Sequence, residues 1–459
     1  MVEDERREAD GELPLTLNFN PEHYSHLSEA ELQLTKQALA GVSSFFMKGK
    51  YPNLIKTNRP ATIDLGEAQP VSCGYRRLNP EEQKICDEYV AKLIEANCVE
   101  RANSPWSIPI LLVPKADGKL RPVIDLRRVN ALAKRDEYPT PDVTETLHQV
   151  AGHKWVSRID LSSAFWQVPL HPKSRDYTAF MTNKHGLLRW KVLPMGFTNS
   201  SNIFQREIDY ALGPLRHEFC SAFCDDVAVY SDSTLEDHLL KVQQVLGALR
   251  DAGFSGNPDK CLFAQKKTEF LGHVISAAGM EMQPEKFNAM LRYKRPERNG
   301  ALRGFLGLAG YYRTFVQNFV TIAAPLTSLL AGSSGSGKVR KLAEKELWPK
   351  GAWTDKHDRA FRALKGALLS APILSAPVAG RRYLLATDAS NHSFGAVLSQ
   401  WDEQGKERPI AYMSKKLTES QQRWLIWEKE LAAAVWATAV CRPYLIGQSF
   451  DLITDNKVI

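Results

Sequence analysis

Residues 218–232 read EFCSAFCDDVAVYSD. Phe219, Ala222, Phe223, Val227, Val229 and Tyr230 mark two short apolar strands, and Asp225 and Asp226 stand side by side between them. Two accounts of the acid pair are open. Asp is a common turn residue because its side chain can bond its own backbone, so the pair reads as a hairpin turn. Paired carboxylates at a strand junction are also a hard-oxygen site for Mg²⁺, which needs few protein ligands and leaves room for phosphates and water. The second account requires a third carboxylate elsewhere.

The stretch VSRIDLSSAFWQVPL (156–170) supplies a candidate, because Asp160 ends an apolar strand and precedes a small-residue turn into Phe165. Taken singly, Asp160 reads equally as a cap on that turn. Taken with Asp225 and Asp226, two strands that each end in an acid and lie side by side would assemble carboxylates for a two-metal site, suited to in-line nucleotidyl transfer. Between Lys115 and Arg135, seven basic residues (Lys115, Lys119, Arg121, Arg127, Arg128, Lys134, Arg135) face two acids, a candidate phosphate-facing surface. The predicted substrate is a nucleoside triphosphate on a nucleic-acid template.

The rest of the chain bounds this reading. At 459 residues it exceeds what one core fills, and 44% apolar with 24% charged residues is a globular composition. No apolar run approaches the roughly 20 residues that span a bilayer, and MVEDERREAD is too acidic for a targeting peptide, so an intracellular, cytoplasmic protein without membrane partners is expected. Seven scattered cysteines without paired C-x-x-C spacing argue against a disulfide framework or a zinc site. A net charge of +7 permits a polyanionic partner without identifying one.

Residues 1 to about 25 are polar and expected to lack structure. Helical spacing predicts a helix over 27–46, a stronger one over 79–100 behind Asn79 and Pro80, and one over 234–253 ending at Gly253. The region 105–235 is strand-rich, and helices dominate from 284 to 330. AGSSGSGK (331–338) reads as a linker and a domain boundary. Its partial match to G-x-x-x-x-G-K-[ST], at Gly332, Gly337 and Lys338, is rejected because Val339 replaces the metal-binding hydroxyl and APLTSLLA ahead of it reads as a helix. Beyond it follow a helix around DKHDRAFRALKGALLS, three strands, a helix and a fourth strand, an α/β order.

The segments SPWSIPILLVPKADGKLRPVIDLRRVN, RIDLSSAFWQVPL, RWKVLPMGFTNSSNIFQREID, FCDDVAVYSD, NPDKCLFAQKKTEFLGHVIS and LRGFLGLAGYYRTFVQNFVTIAAPLTSLL resemble, in order and spacing, the reverse transcriptase of gypsy-type (metavirus) LTR retrotransposons. The resemblance covers residue 70 onward. It implies an α+β right-hand polymerase (fingers, palm, thumb) followed by a partial α/β RNase H-like domain: a polar leader and short helix over 1–60, fingers and palm over 61–280, a thumb-like region over 281–330, a linker and connecting helix over 331–380, and the RNase H-like part over 381–459. It implies Asp160, Asp225 and Asp226 as ligands of Mg²⁺, with Mn²⁺ as a substitute. Phe165 becomes the ring that excludes a ribose 2′-OH, Arg121 and Lys115 the contacts to the incoming triphosphate, and Lys260 the group proposed to protonate pyrophosphate. FLGH (270–273) resembles the hairpin that grips the primer strand. The implied partners are an RNA template, a DNA primer, their hybrid and dNTPs, inside a cytoplasmic virus-like particle. Two positions depart from the family: Phe223 stands where a Tyr is usual, and Met195, in the nucleotide pocket, where a Gln or an aromatic residue is usual.

ATDAS, WEKELAAAV and LITDN place Asp388, Glu430 and Asp455 in the order of the RNase H carboxylates. The family pattern continues for about 50 residues with a fourth carboxylate, so weak or absent RNase H activity and a truncated polyprotein are expected. Neither a protease Asp-[ST]-Gly motif nor an integrase pattern is visible. The competing reading is a catalytically decayed or domesticated nucleic-acid-binding remnant of such an element.

Overall fold

The computed structural model describes residues 19–46, 51–74, 77–114, 118–331, 346–349 and 351–455. Its contacts group into two compact units, Met1–Thr146 with His153–Thr268, and Leu147–Gly152 with Glu269–Ile459. The Gly/Ser stretch read as a linker, with Gly332, Gly337 and Lys338, lies outside the described residues, as does Lys115.

In the first unit, α1 (Glu29–Ala40) starts at a capping box in which the Ser28 side chain accepts from the Glu31 amide and Glu31 returns the bond. It is shorter than its periodicity predicts, because the chain breaks into a 3-10 turn at Ser43–Phe45 that buries Phe45 completely. Helix α2 (Pro80–Glu95) opens on the Asn79 capping box and buries Cys86, Val90 and Leu93. The predicted helix to residue 100 is also too long: Asn97 turns left-handed at φ 53°, and β-branched Val99 opens strand β1 (Val99–Arg101). Strands β2 (Ile110–Pro114) and β3 (Leu120–Ile124) form an antiparallel hairpin, and the short helix α3 (Arg127–Asn130) follows.

Strand β4 (Trp155–Asp160) enters the central sheet, while β5 (Phe180–Thr182) and β6 (Gly186–Trp190) complete a small sheet ordered β1-β6-β5. Helix α4 (Ser200–Leu212) leads to β7 (Cys220–Phe223) and β8 (Asp226–Ser231), the hairpin of the opening stretch. Helix α5 (Leu235–Asp251) then returns the chain to β9 (Leu262–Gln265). Gly253 ends that helix region at φ 88°, where a side chain would meet the backbone of Leu54 and Ile55 at about 3 Å, so only glycine fits.

The central sheet is ordered β7-β8-β4-β9, with β4 and β8 antiparallel in the register Asp160↔Asp226. Ile159, Val227, Val229, Phe204, Val242 and Leu246 are fully buried between the sheet and helices α4 and α5. Strands this apolar on successive positions require cover on both faces, which leaves their acidic ends as the polar exit from the core.

Strand β10 (Lys267–Phe270), which spans the unit boundary, forms a three-stranded sheet with β11 (His273–Ser276) and β12 (Gly279–Met282) of the second unit. Helices α6 (Pro284–Arg292), α7 (Asn299–Tyr311), α8 (Phe319–Ala331) and α9 (Asp355–Leu369) follow. The last part is the α/β order read in the sequence: β13 (Tyr383–Ala389), β14 (Ser393–Trp401), β15 (Glu407–Lys416), α10 (Ile426–Val440) and β16 (Phe450–Ile453). Its sheet is ordered β15-β14-β13-β16, with β13 and β16 parallel. No described helix is long and apolar enough to cross a membrane.

Candidate active site

Pairing Phe223 with Asp226 leaves Cys224 and Asp225 as a two-residue turn. Cys224 takes the left-handed conformation, φ 50°, which a β-carbon disfavours by about 1–3 kcal/mol. Asp225 lies in the turn and Asp226 opens β8, directly opposite Asp160 on β4. Residues so opposed in an antiparallel pair have Cα atoms roughly 4.5–5.5 Å apart. The Leu161 amide donates to the Asp225 carbonyl (3.2 Å), and the Asn257 amide to the Asp160 carbonyl (2.9 Å), so both acids hang from tethered backbone.

The three acids repel one another. Asp226 is pushed up from 3.8 to about 6, first by burial, then by Asp225, with Asp160 adding and Arg158 and Lys260 opposing. Burial likewise raises Asp160, against the pull of Lys260. The Lys260 ammonium stands 3.7 Å from Asp160 Oδ1, and the Lys260 carbonyl accepts from Arg158 at 3.3 Å. Among the described residues no group of three His, Cys, Asp or Glu side chains is drawn in to metal-ligand spacing. Carboxylate oxygens are the donor type that Mg²⁺ takes, and that ion keeps several waters and needs only one or two carboxylates.

Phe165 lies in the 3-10 turn Ala164–Gln167, entered through left-handed Ser163 (φ 45°). Its ring and that of Phe204 pack in a T-shaped pair at a centroid distance of 5.6 Å, and the residue is half-buried against the core. Arg121, exposed on β3, donates through Nη2 to the Met195 sulfur at 3.2 Å. Positions 74 residues apart are thereby brought together.

Two residues that the motif reading passed over support these groups. Asn130 at the end of α3 donates to the Gly196 carbonyl (2.8 Å) and accepts from the Thr198 amide (2.9 Å), clamping the loop that presents Met195. Gln205 on α4 accepts from the Cys224 amide at 2.8 Å. Asn in a basic run, and Gln at helical spacing among apolar residues, carry no sequence signal beyond being polar where a core is expected.

In the second unit, Asp388 is exposed on β13 and Asp455 follows β16, strands that are parallel neighbours. Glu430 on α10 is 5% exposed and accepts from the Ala389 amide at 3.2 Å, while its Oε2 is buried with no hydrogen-bond partner. Burial raises the Glu430 carboxyl, and Asp455 and Asp388 raise it further. A buried, orphaned carboxylate oxygen beside two more acids is a donor set that a divalent cation satisfies.

The hairpin at FLGH turns through two left-handed residues, Leu271 (φ 42°) and Gly272 (φ 68°). Tyr311 and Tyr312 donate to the carbonyls of Leu271 (2.8 Å) and Gly272 (2.6 Å), and buried His273 stacks on Phe315.

Residues 113–275 match the family "Reverse transcriptase (RNA-dependent DNA polymerase)", and residues 353–452 match "RNase H-like domain found in reverse transcriptase". The chain is 35% identical over 376 residues, 81% of its length and 34% of the relative's, to the retrovirus-related Pol polyprotein from transposon 297 of Drosophila melanogaster. It is 33% identical over 408 residues, 86% of its length and 38% of the relative's, to that of transposon gypsy from the same organism. It thus spans little more than a third of the length of these curated relatives. Among solved structures, the foamy viral protease-reverse transcriptase dRH in complex with double-stranded DNA superposes with a TM-score of 0.82 at 24% identity, covering 99% of this chain and 77% of that one. The chain therefore carries a reverse transcriptase domain followed by an RNase H-like domain, and over most of its length it is similar to the Pol polyproteins of gypsy and other LTR retrotransposons.

Proposed function

We propose that the chain is an RNA-directed DNA polymerase that transfers a nucleotide from a dNTP to a primer 3′-OH on an RNA or DNA template. The observation that carries this is the direct pairing of Asp160 with Asp226 across neighbouring strands, with Asp225 in the adjoining turn. These three carboxylates are assigned to hold Mg²⁺, with Mn²⁺ as a substitute. Two such ions, when bound, supply the charge that activates the primer hydroxyl and steadies the pyrophosphate.

The chain's own side chains do the rest. Arg121, held by Met195, is assigned to the triphosphate, with Lys115 beside it in sequence. The exposed edge of Phe165 is assigned to the sugar, where a 2′-OH would collide with it. Lys260, whose ammonium stands 3.7 Å from Asp160 Oδ1, is assigned to give a proton to the departing pyrophosphate. The 61–280 stretch is assigned to fingers and palm, 281–330 to a thumb, and the FLGH hairpin to the primer strand. Asp388, Glu430 and Asp455 are assigned to metal binding in the RNase H-like domain. Template, primer and hybrid binding is supported by the foamy viral complexes with double-stranded DNA and RNA/DNA hybrid, and a cytoplasmic place of action belongs to the same reading.

Primer extension on poly(rA)/oligo(dT) with Mg²⁺ tests it. The purified chain extends the primer, and Asp225→Asn drops extension to background while hybrid binding persists. Extension by Asp225→Asn refutes the site. Tight hybrid binding without extension by the unaltered chain refutes the polymerase and favours a nucleic-acid-binding remnant.

A further inference from the structure

Gln205 is fully buried on α4, a helix that is otherwise apolar toward the core through Ile203, Phe204, Ile208 and Leu212. A buried primary amide has to place two donors and an acceptor, and Gln205 places all three. Its Nε2 donates to the Ala222 carbonyl on β7 (3.1 Å) and to Asp209 Oδ1 one helical turn onward (2.8 Å). With both donors committed to acceptors, Oε1 faces the one remaining donor, the Cys224 amide, at 2.8 Å. The amide therefore grips both sides of one peptide segment, the last residues before Asp225.

The grip is itself anchored. Asp209 Oδ2 accepts from the Tyr138 hydroxyl at 2.7 Å and pairs with Arg216 at 2.5 Å, and the Asn202 side chain donates to the Tyr138 carbonyl at 2.6 Å. The segment it holds is the one most in need of holding, since Cys224 is left-handed without being glycine. Asp225 and Asp226 repel each other and Asp160. A turn under that load would relax toward a different backbone shape, carrying the carboxylates with it.

We propose that Gln205 is a positioning residue for the polymerase site: by binding Ala222 and Cys224 it fixes the Cys224–Asp225 turn, and so sets where the two acids present their oxygens to the metal. This rests on the assignment of Asp225 and Asp226 given above. A displacement of about 1 Å at a catalytic group costs about 10²-fold in rate, and binding groups elsewhere on the chain are untouched. Loss of the grip therefore acts on kcat and on the metal requirement, with little effect on KM for dNTP or on hybrid affinity.

Gln205→Leu removes all three bonds at similar volume, and Gln205→Glu keeps the acceptor facing Cys224. In poly(rA)/oligo(dT) extension, Gln205→Leu lowers kcat by about 10- to 100-fold and raises the Mg²⁺ concentration for half-maximal rate, with KM for dTTP nearly unchanged. Gln205→Glu falls between it and the unaltered chain. Amide hydrogen exchange, measured without metal or substrate, speeds up across 222–226 in Gln205→Leu while 227–231 keeps its protection. A Gln205→Leu chain with unaltered kcat and Mg²⁺ requirement, or with unaltered exchange at 222–226, overturns the proposal alone. So does exchange that rises uniformly through the unit, which marks Gln205 as general packing. Failure of the unaltered chain to extend overturns the polymerase assignment, and the catalytic part of this proposal with it.

Discussion

Replacing Asp226 by Asn should stabilise the metal-free protein at neutral pH while abolishing the proposed primer extension. The folded chain holds Asp226 near pH 6 against 3.8 in an unconstrained chain, because the carboxylate is largely buried and faces Asp225 and Asp160. A raised folded value means that the folded state binds the proton more tightly than the unfolded one. Stability from this group is thus fully present below pH 3.8 and is lost as pH rises through about 6. At about 1.4 kcal/mol per pH unit the rise amounts to about 3 kcal/mol; solvent reaching the partly open site reduces this, leaving about 1–3 kcal/mol at pH 7.5.

Asn is neutral throughout and fills the same space, so Asp226→Asn recovers that amount. The assay is urea unfolding in EDTA, followed by tryptophan fluorescence, to which Trp155, buried on the site strand β4, contributes. The gap between variant and unaltered chain is largest above pH 7, shrinks below 6, and is nearly gone by pH 4. Mg²⁺ or Mn²⁺ narrows it at pH 7.5 by stabilising the unaltered chain more. An Asp226→Asn chain no more stable than the unaltered one in EDTA at pH 7.5, or a gap independent of pH, refutes the argument that repulsion and burial load this site.

Two further outcomes are expected. His238, fully buried on α5, bridges the hydroxyls of Ser157 on β4 and Ser231 on β8 at 2.8 Å each. His238→Ala leaves a cavity and two hydroxyls short of a partner and costs about 3 kcal/mol. Burial lowers the imidazole from 6.5 to about 4, so stability from this group falls as pH drops through that window, and urea midpoints of His238→Ala lose that share of acid sensitivity. Phe165→Ala opens the sugar side of the pocket: discrimination of dNTP over rNTP in single-nucleotide incorporation falls by about 10- to 200-fold. Unchanged discrimination would leave the ring with only its packing on Phe204.

What was legible in the sequence followed from short-range chemistry. Capping at Asn79 located the start of α2, and helical periodicity located α1 and α5 to within a residue or two of their starts. The alternation of turns and apolar runs located β7, β8 and the last α/β sheet. Helix ends were less legible, because Asn97 and the Ser43–Phe45 turn are decided by what the chain packs against rather than by periodicity. At the site, acids at strand ends announce themselves, whereas the supports do not. Gln205 meets Cys224 across 19 positions and Asn130 meets Gly196 across 66, and nothing local to either residue specifies its partner.

The opposed titrations of Asp226 and His238 bear on why the site can exist. Both groups touch the β4–β8 pair, one at its acidic end and one beneath its middle, and each taxes or supports the fold over overlapping pH windows with opposite sign. As pH falls from about 6 to about 4, the relief at Asp226 offsets the penalty at His238, so the unaltered chain varies less than either variant. The acid cluster and the left-handed Cys224 together disfavour the turn by a few kcal/mol. A largely buried sheet, tied to α5 through His238 and gripped by Gln205, holds that turn against relaxation. The strain falls on Cys224 and on the acids beside it, and on the proposed assignment a bound cation would relieve the repulsion among those acids.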